Sequence, residues 1–302
     1  MHIPDGFLST PVWLSLDVVA APVVGWFGRR AQQNTDESKT PLLGVMGAFV
    51  FAAQMINFPV GPGTSGHLLG GALLAFTLGP AAAVVVMTAV LALQALVFQD
   101  GGLLALGANV FNMAVCGVLV GYLPYHYWGA GRLRRAAIFA GGALSVFVSA
   151  SLAIVELLVS GIRIPGAVLG ASLGVFAVSA VIEGVITVAV LEALERINPA
   201  WVEKRPAEAR PAMGLLALVS VLLVTVGVLF ASAAPDGLEK LAEDAGISER
   251  ARALLETPLA DYEAAFLSGS WASQAAAGLV GLALAAALVW ALARAVGRRR
   301  RA

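Results

Sequence analysis

The chain has 302 residues, of which 59% are hydrophobic and only 13% are charged, and its mean hydropathy is +0.85. Soluble domains carry roughly 25% charged residues, so this composition excludes an ordinary soluble domain and predicts an integral membrane protein. The 19 basic and 19 acidic residues cancel to a net charge of zero. The single cysteine, Cys116, excludes both a disulfide framework and a thiolate metal cluster.

The first residues, MHIPDGF, differ from a signal peptide. A signal peptide begins with basic residues that lead into an apolar run. This chain has no Lys or Arg before Arg29, and a Pro-Asp-Gly turn stands where the apolar run would start. We therefore interpret this stretch as part of a functional site.

Nine apolar segments predict the transmembrane helices. A spanning helix needs about 20 apolar residues, so the third segment is short, and Gly79-Pro80 after it predicts a tight helical hairpin. We therefore predict an all-α membrane protein, with a seven-helix transmembrane bundle followed by two further transmembrane helices. The segments are 12–28, 42–57, 66–79, 80–98, 103–127, 136–159, 165–194, 212–233 and 270–296.

The basic residues predict the orientation of these helices. Cytoplasmic loops of membrane proteins carry an excess of Lys and Arg. If the N-terminus lies outside, the cytoplasmic segments hold fifteen of the nineteen basic residues, and the outside segments hold only Arg163, Lys240, Arg250 and Arg252. We therefore predict that the N-terminus is outside and the C-terminus is cytoplasmic.

We divide the chain into three parts. Residues 1–197 contain the seven-helix domain, residues 198–211 form a cytoplasmic linker, and residues 212–302 contain the last two spans. An outside segment at 235–269 separates those spans; it has eight acidic and three basic residues, and its pattern around 237–256 predicts one or two amphipathic helices. Two interpretations of this segment remain open: a solvated connector, or a collector or lid for cations above the bundle.

Polar residues of the predicted helices gather near the outer side of the membrane. Such residues usually face the bundle interior and are often functional. An interhelical hydrogen bond explains any one of them alone, but their common depth favours a shared site. The amides are Asn57, Gln94, Asn109 and Asn112, and the carboxylates are Asp17 and Glu156; Glu183, in the middle of helix seven, is the exception, and only an interior partner is predicted for it.

The chain has three histidines, and the predicted orientation separates them. His2 and His67 lie outside, whereas His126 lies near the cytoplasmic end of helix five, beside Tyr125 and Tyr127. His126 is therefore interpreted as part of an interfacial aromatic belt.

A histidine at position two offers a chelate that no other position provides. The α-amine of Met1 and the backbone nitrogen of His2 close a five-membered ring on a metal ion, and that nitrogen and His2 Nδ1 close a six-membered ring. Removing the peptide proton requires a strongly polarising ion such as Ni(II) or Cu(II). His67 could then complete a square plane, a geometry typical of these ions with nitrogen ligands.

Each histidine alone also has a simpler explanation. A polar N-terminus is usually just disordered, and a histidine in a glycine-rich loop is usually hydrogen-bonded there. The hypothesis of a metal site at Met1, His2 and His67 depends on two features together: these are the only outside histidines, and they lie above a polar-lined bundle. The four amides named above are then the candidates for residues that support the ligands.

Three stretches of the sequence, in order, resemble the CbiM/NikM family: MHIPDGFL, GPGTSGHLLGGALLAFTLGPAAA and QALVFQDGGLLALGANVFNMA. Members of this family are the substrate-capturing membrane subunits of energy-coupling-factor importers for cobalt and nickel, and the resemblance covers residues 1 to about 200. It implies that metal is bound by the Met1 amine, by the amide and imidazole nitrogens of His2, and by the imidazole of His67.

Two further details of the resemblance concern other parts of the chain. Near residue 235, PDGLE resembles a short domain often fused to these subunits, which stands in for a separate accessory subunit with two spans. Many cobalt-type relatives have QHGG where this chain has QDGG, so Asp100 removes one imidazole and favours nickel over cobalt.

The sequence also indicates what drives transport. It contains no G-x-x-x-x-G-K-[ST] loop, so the chain does not hydrolyse ATP by that chemistry. The resemblance implies partners in the lipid bilayer and beneath it: a transmembrane coupling subunit and two cytoplasmic ATPase subunits. We expect a multi-pass protein of the cell membrane, of the bacterial inner-membrane type, which is not itself an enzyme. Its substrate would be Ni²⁺ or Co²⁺, with no organic cofactor and no nucleic acid.

Two alternative functions remain beside this prediction. A proton-coupled or facilitated metal carrier without ATPase partners would use Glu156 and Glu183 as proton sites. The GTSG stretch at 63–66 matches the motif of rhomboid-type intramembrane serine proteases, with Ser65 as nucleophile. A serine nucleophile needs an imidazole within hydrogen-bond reach. His126 lies at the opposite face of the membrane, and a spacing of two residues places His67 poorly for a productive dyad.

Overall fold

Helices satisfy the backbone hydrogen bonds of an apolar chain internally, and most of this chain is helical. The computed structural model describes residues 1–34, 40–198, 201–202, 210–267 and 270–298. Within these residues, helices lie in all nine predicted apolar segments, and six of them are long and apolar enough to cross a membrane. The prediction of a helical protein with several membrane-spanning segments is confirmed. Most of the predicted linker and the tail after Arg298 lie outside the described residues.

Helices α1 to α8 lie in the first 198 residues. Two π-helical turns adjoin these helices. One, at Gln94–Phe98, continues α4, and the other, at Val110–Gly117, joins α5 to α6, so that residues 106–128 form one continuous helix. The bounds are α1 Thr10–Asn34, α2 Thr40–Gln54, α3 Gly71–Leu78, α4 Pro80–Leu93, α5 Leu106–Asn109, α6 Val118–Trp128, α7 Arg134–Val159 and α8 Gly166–Ile197.

Three helices belong to the second part of the chain. They are α9 (Arg210–Thr225), α10 (Gly237–Asp244) and α11 (Ser270–Arg298), and a 3₁₀ turn at Gly227–Phe230 follows α9. Helices α9 and α11 pack against each other and against α2. The two parts of the chain therefore share one helical core.

Helix α3 is shorter than the predicted segment 66–79. An antiparallel hairpin of β1 (Phe58–Gly61) and β2 (Thr64–Gly66) precedes it, and its first turn follows Gly70, which has a left-handed backbone with φ of 76°. The Glu183 carboxylate of α8 accepts hydrogen bonds from the backbone N–H groups of Leu69 at 2.8 Å and Gly70 at 2.9 Å. These contacts occupy the two backbone N–H groups just before the helix, and they give Glu183 its interior partner.

Where the sequence predicted one or two amphipathic helices around 237–256, the structure has helix α10 and a 3₁₀ turn at Ser248–Arg250. Asp236 and Glu239 form a capping box at the N-terminus of α10, with Asp236 Oδ1 accepting from the backbone N–H groups of Leu238 and Glu239. The helix ends at Asp244, because Gly246 turns the chain with φ of +68°. We call residues 231–267, which contain α10, the outer segment.

One end of the bundle gathers every element that bears on the predicted metal site. The outer segment lies over the N-terminal stretch, where the Arg252 N–H donates to the Asp5 carbonyl at 2.9 Å. It also contacts the β-hairpin, where the Ser65 N–H donates to the Pro235 carbonyl at 2.8 Å. The chain from Gln99 to Ala105 completes this end, since the Gly102 N–H donates to the Ile3 carbonyl at 2.8 Å.

Candidate metal centre

The N-terminal residues are folded into the protein instead of projecting from it. Met1, His2 and Ile3 are 9%, 7% and 0% exposed. Asn109 holds this stretch by two hydrogen bonds: its Oδ1 accepts from the Ile3 N–H at 2.8 Å, and its Nδ2 donates to the Ile3 carbonyl at 3.0 Å. The Asn109 side chain thus fixes the backbone at Ile3, the residue that follows the predicted chelate of Met1 and His2.

The Pro-Asp-Gly turn has a definite structural role. The buried Asp5 carboxylate accepts hydrogen bonds from the backbone N–H groups of Leu103, Leu104 and Ala105, at 2.9, 2.8 and 3.2 Å. Gly102 lies so close to Asp5 that a side chain at this position would collide with its carboxylate and backbone. The MHIPDGF and QDGG motifs are therefore two halves of one packed structure.

The Met1 amine and the His67 imidazole meet although 66 residues separate them. The amine nitrogen lies 3.2 Å from His67 Nε2, and His67 Nδ1 lies 3.0 Å from the Leu68 carbonyl. Since a carbonyl only accepts, Nδ1 carries the hydrogen and Nε2 presents its lone pair toward the amine. A second protein group that fixes the ring in this way is typical of histidines that bind metal.

The two outer histidines are stacked. Their ring centroids are 5.5 Å apart and the ring planes differ by 14°. His126 does not join them. It lies in the last turn of α6 and packs against Tyr122 and Tyr127, about 25 Å along the helix from Asn109. The structure therefore separates the three histidines as the sequence predicted.

The His2 ring is held between two acceptors. Its Nδ1 lies 2.9 Å from Asp100 Oδ1, and its Nε2 lies 3.2 Å from Gln94 Oε1. The Nδ1 atom needed for the predicted chelate thus contacts a carboxylate in this arrangement. Binding of an ion through Nδ1 requires this contact to open.

Two residues of the outer segment complete the site. The Asp236 carboxylate forms an ion pair with the Met1 ammonium and lies 4.0 Å from His67 Nε2. The Tyr262 hydroxyl donates to Asp100 Oδ2 at 2.6 Å and accepts from Gln94 Nε2 at 3.0 Å. The sequence alone did not indicate Asp236 or Tyr262, because more than 160 positions separate them from these partners, and it did not indicate the contact of Asp100 with His2, which is 98 positions away.

The surrounding charges affect the acidities of these groups. Burial alone would raise the pKa of Asp100, but the charge and hydrogen bond of His2 and the hydrogen bond of Tyr262 hold that pKa well below its usual range. Burial acts likewise on Asp236, but the charge of the Met1 ammonium, the nearby His67 and the hydrogen bonds from the Met1 ammonium and the Glu239 N–H together lower the pKa of that carboxyl. Two carboxylates therefore stay ionised beside the candidate ligands.

His67 is expected to stay neutral across the physiological range. Burial, followed by the positive charges of the Met1 amine and His2, lowers its pKa from 6.5 to about 4. The ring of the metal-free protein should remain deprotonated from pH 7 down to about pH 5. If the protein loses bound metal over this range, the cause would therefore be protonation of the other proposed ligand nitrogens, not of His67. Histidine-labelled protein followed by NMR checks this: a His67 resonance titrating near pH 6.5 would contradict it.

The four candidate supporting amides divide into two groups. Gln94 and Asn109 contact His2 and Ile3, as described above. Asn57 lines the cavity beside His67, where its backbone carbonyl accepts from the Ser232 N–H at 2.8 Å. Asn112 points elsewhere, and its Nδ2 donates to Glu156 Oε2 at 2.8 Å. The structure thus places Asn112 outside the group that touches the site, which differs from the sequence-based interpretation.

Asn109 and Asn112 therefore differ in their expected effects. Replacing Asn109 by alanine removes both hydrogen bonds to Ile3 and should weaken metal binding about 10-fold or more, since residues that support ligands typically contribute 10–100-fold. Asn112→Ala should leave metal affinity within about twofold of wild type. Isothermal titration with Ni²⁺ measures both, and equal losses would show that Asn112 also supports the site.

A cavity of about 630 Å³ opens beside the two histidines. Its wall combines His2, His67 and Asp100 with acidic residues of the outer segment: Asp236, Glu239, Glu243 and Asp261. Six waters occupy about 180 Å³ at the volume of liquid water, so a hydrated ion fits this space. The acidic wall suits a cation as the occupant.

Among the described residues, no three or more His, Cys, Asp or Glu side chains are arranged to hold a metal ion. Protease chemistry is disfavoured, since the fully buried Ser65 hydroxyl donates to the Ala234 carbonyl at 2.7 Å instead of to an imidazole.

The helices and this site indicate a multi-pass membrane protein of the metal-transport class, and comparison with known proteins assigns the family. The model described as "Cobalt uptake substrate-specific transmembrane region" matches residues 2–201, and the PDGLE domain model matches residues 210–298. The chain belongs to the CbiM family and carries a PDGLE domain.

Relatives resemble the chain over nearly its full length. It is 35% identical to "Putative fused nickel transport protein NikMN" of Archaeoglobus fulgidus, over 97% of this chain and 98% of that protein. It is 31% identical to "Fused nickel transport protein NikMN" of Rhodobacter capsulatus, over 94% of each. A solved structure titled as a truncated transition metal transporter has 32% identity and a TM-score of 0.58, covering 65% of this chain and 99% of that one.

Proposed function

We propose that this chain is the substrate-capturing membrane component of an ATP-driven importer of divalent transition metal, with nickel favoured over cobalt. The observation that carries the proposal is the approach of the Met1 amine to His67 Nε2, at 3.2 Å, beside the stacked His2 ring. The metal-binding atoms are the Met1 amine, the backbone nitrogen and Nδ1 of His2, and His67 Nε2. The ion is the substrate and enters from outside the cell membrane.

The donor set supports a late first-row metal. Imidazole and amine nitrogens suit nickel, copper and cobalt, and a planar nitrogen set is typical of Ni(II) and Cu(II). Asp100 and Asp236 lie beside these nitrogens and offset the charge of a divalent cation. The names of the relatives, which include nickel and cobalt transport proteins, agree with this class of ion.

The remaining parts of the proposal follow from the domain plan and the orientation. Residues 1–197 capture the ion, residues 198–211 form a cytoplasmic linker, and residues 212–302 contribute two spans and the outer segment. The N-terminus lies outside and the C-terminus in the cytoplasm. A transmembrane coupling subunit and two cytoplasmic ATPase subunits drive release of the ion to the inside, since this chain has no phosphate-binding loop of its own.

The test has two stages. Protein purified with its native N-terminus and exposed to Ni²⁺ or Co²⁺ should retain about one metal ion per chain after dialysis, as measured by elemental analysis. Vesicles that contain the chain with its ATPase partners should then accumulate metal only with ATP. A chain that binds neither metal would contradict the proposal.

A proton-coupled carrier is the second candidate, and the structure gives its proposed proton sites other contacts. Glu183 accepts two backbone hydrogen bonds before α3, and Glu156 accepts one from Asn112. Both carboxylates therefore have structural partners. Uptake that follows an imposed proton gradient in vesicles without ATPase subunits would favour the carrier.

A further inference from the structure

The outer segment places one hydroxyl group in the network around His2. Tyr262 is the only residue of this segment that contacts both of the groups holding the His2 ring, among the contacts of the described residues. We propose that Tyr262 is a positioning residue for metal capture, which acts through Gln94 and Asp100 on His2. This inference rests on the proposed function and assigns a role to the PDGLE domain within it.

The direction of each hydrogen bond follows from the chemistry of the partners. The ionised Asp100 carboxylate only accepts, so the single hydrogen of the Tyr262 hydroxyl is donated to Asp100 Oδ2 at 2.6 Å. The hydroxyl oxygen must then accept from Gln94, and it lies 3.0 Å from Gln94 Nε2. The Tyr262 hydroxyl therefore orients the Gln94 amide with its Nε2 toward the phenol.

The orientation of Gln94 in turn selects the metal-binding nitrogen of His2. With Nε2 of Gln94 turned toward Tyr262, its Oε1 faces His2 Nε2 at 3.2 Å, and that ring nitrogen must carry a hydrogen to form the bond. A histidine that donates through one ring nitrogen binds metal through the other. Once the contact of Nδ1 with Asp100 opens, Tyr262 thus favours Nδ1 as the ligand atom, which is the nitrogen that closes a ring with the His2 backbone nitrogen.

A second glutamine agrees with this assignment. Gln54 Nε2 donates to the Leu69 carbonyl at 2.8 Å, so Gln54 Oε1 is free to accept from Gln94 Nε2, also at 2.8 Å. Gln94 Nε2 therefore donates to two acceptors, Gln54 Oε1 and the Tyr262 hydroxyl. The chain from Tyr262 and Gln54 through Gln94 to His2 has a consistent donor and acceptor at every step.

The Tyr262 ring is held firmly in its place. It stacks on Phe98, with ring centroids 4.8 Å apart and planes 16° apart, and it also contacts Phe51. Asp261 and Tyr262 both have left-handed backbones, with φ of 52° and 57°, which residues with side chains rarely adopt. Thr257 anchors the same stretch, because its hydroxyl donates to the Val97 carbonyl at 2.6 Å. The position of the Tyr262 hydroxyl is therefore fixed by these contacts.

The variant Tyr262→Phe tests the proposal, because it removes the hydroxyl and keeps the ring on Phe98. Ni²⁺ is titrated into the full-length protein with a native N-terminus, and the absorption spectrum of the nickel complex is recorded. We expect about 10-fold weaker binding and a shifted spectrum, as the His2 ring loses its fixed orientation. Tyr127→Phe, a matched change at an exposed tyrosine of α6, should leave both quantities unchanged.

A double-mutant cycle tests whether Tyr262 acts through Gln94. If it does, Tyr262→Phe should cause a much smaller loss in the Gln94→Leu protein than in wild type, because Gln94→Leu has already removed the path through the amide and only the path through Asp100 remains. Additive losses, or wild-type affinity and spectrum in Tyr262→Phe, would overturn the inference while leaving the proposed function intact. A wild-type chain that binds no nickel or cobalt would instead overturn the proposed function, and this inference with it.

Discussion

Blocking the Met1 amine is expected to abolish metal binding and uptake, while every side chain of the protein stays intact. The amine lies 3.2 Å from His67 Nε2 and is paired with Asp236, so an N-terminal tag removes a proposed ligand atom and also displaces a buried group. A tag after residue 302 should leave uptake near wild type. Radioactive nickel uptake by cells that produce each form gives the comparison.

Small changes at the N-terminus separate the loss of the amine from the bulk of a tag. Retained formylation neutralises the amine with few added atoms and should also abolish binding. Inserting one alanine after Met1 moves the histidine to position three, where amine, two amides and imidazole supply four nitrogens without His67. That variant should hold metal but not transport it. Normal transport by a protein tagged at its N-terminus would show that the amine is not a ligand.

Replacing His67 by alanine should have the second large effect. It removes one of four proposed ligands, so metal affinity should fall by roughly 100-fold or more, above the 10–100-fold typical of groups that only support ligands. Insertion into the membrane should be unchanged, because His67 lies between β2 and α3 and outside the long apolar helices. Nickel uptake, normalised to the amount of protein in the membrane, measures the effect.

His126→Ala is the matched control for this variant. His126 packs among aromatic side chains at the other end of the α5–α6 helix, so its loss should leave uptake near wild type. Similar losses for the two histidines would mean that metal capture does not depend on the site at the N-terminus.

The helices of this protein were predictable because apolar runs of membrane length determine them directly. Their ends were less so. The segment predicted at 66–79 becomes helical only at Gly71, because Glu183, more than 110 residues away, binds the backbone just before it. One or two helices were predicted around 237–256, and the α-helix there ends at Asp244 because Gly246 turns the chain.

The candidate site shows the same limit. His2 and His67 could be paired from the sequence, because they are the only histidines on the predicted outer side and chelate chemistry relates them. Asp236 and Tyr262 could not, since their roles arise only when the outer segment folds back over the bundle. Asn112 was expected beside Asn109 at the site, because two residues three positions apart share one face of an α-helix. In the structure a π-helical turn begins between them, and Asn112 contacts Glu156 instead.

The pairing of Met1 with Asp236 has a consequence for biosynthesis. The two residues that meet are 235 positions apart, and Tyr262 is farther along still. A ribosome that has made only the first 200 residues has therefore produced both histidines without the carboxylate and the phenol that surround them. The finished arrangement arises late in translation. Because both parts belong to one polypeptide, each N-terminus has its own Asp236 carboxylate and Tyr262 phenol. No separate subunit has to be supplied in equal amount to provide these two groups.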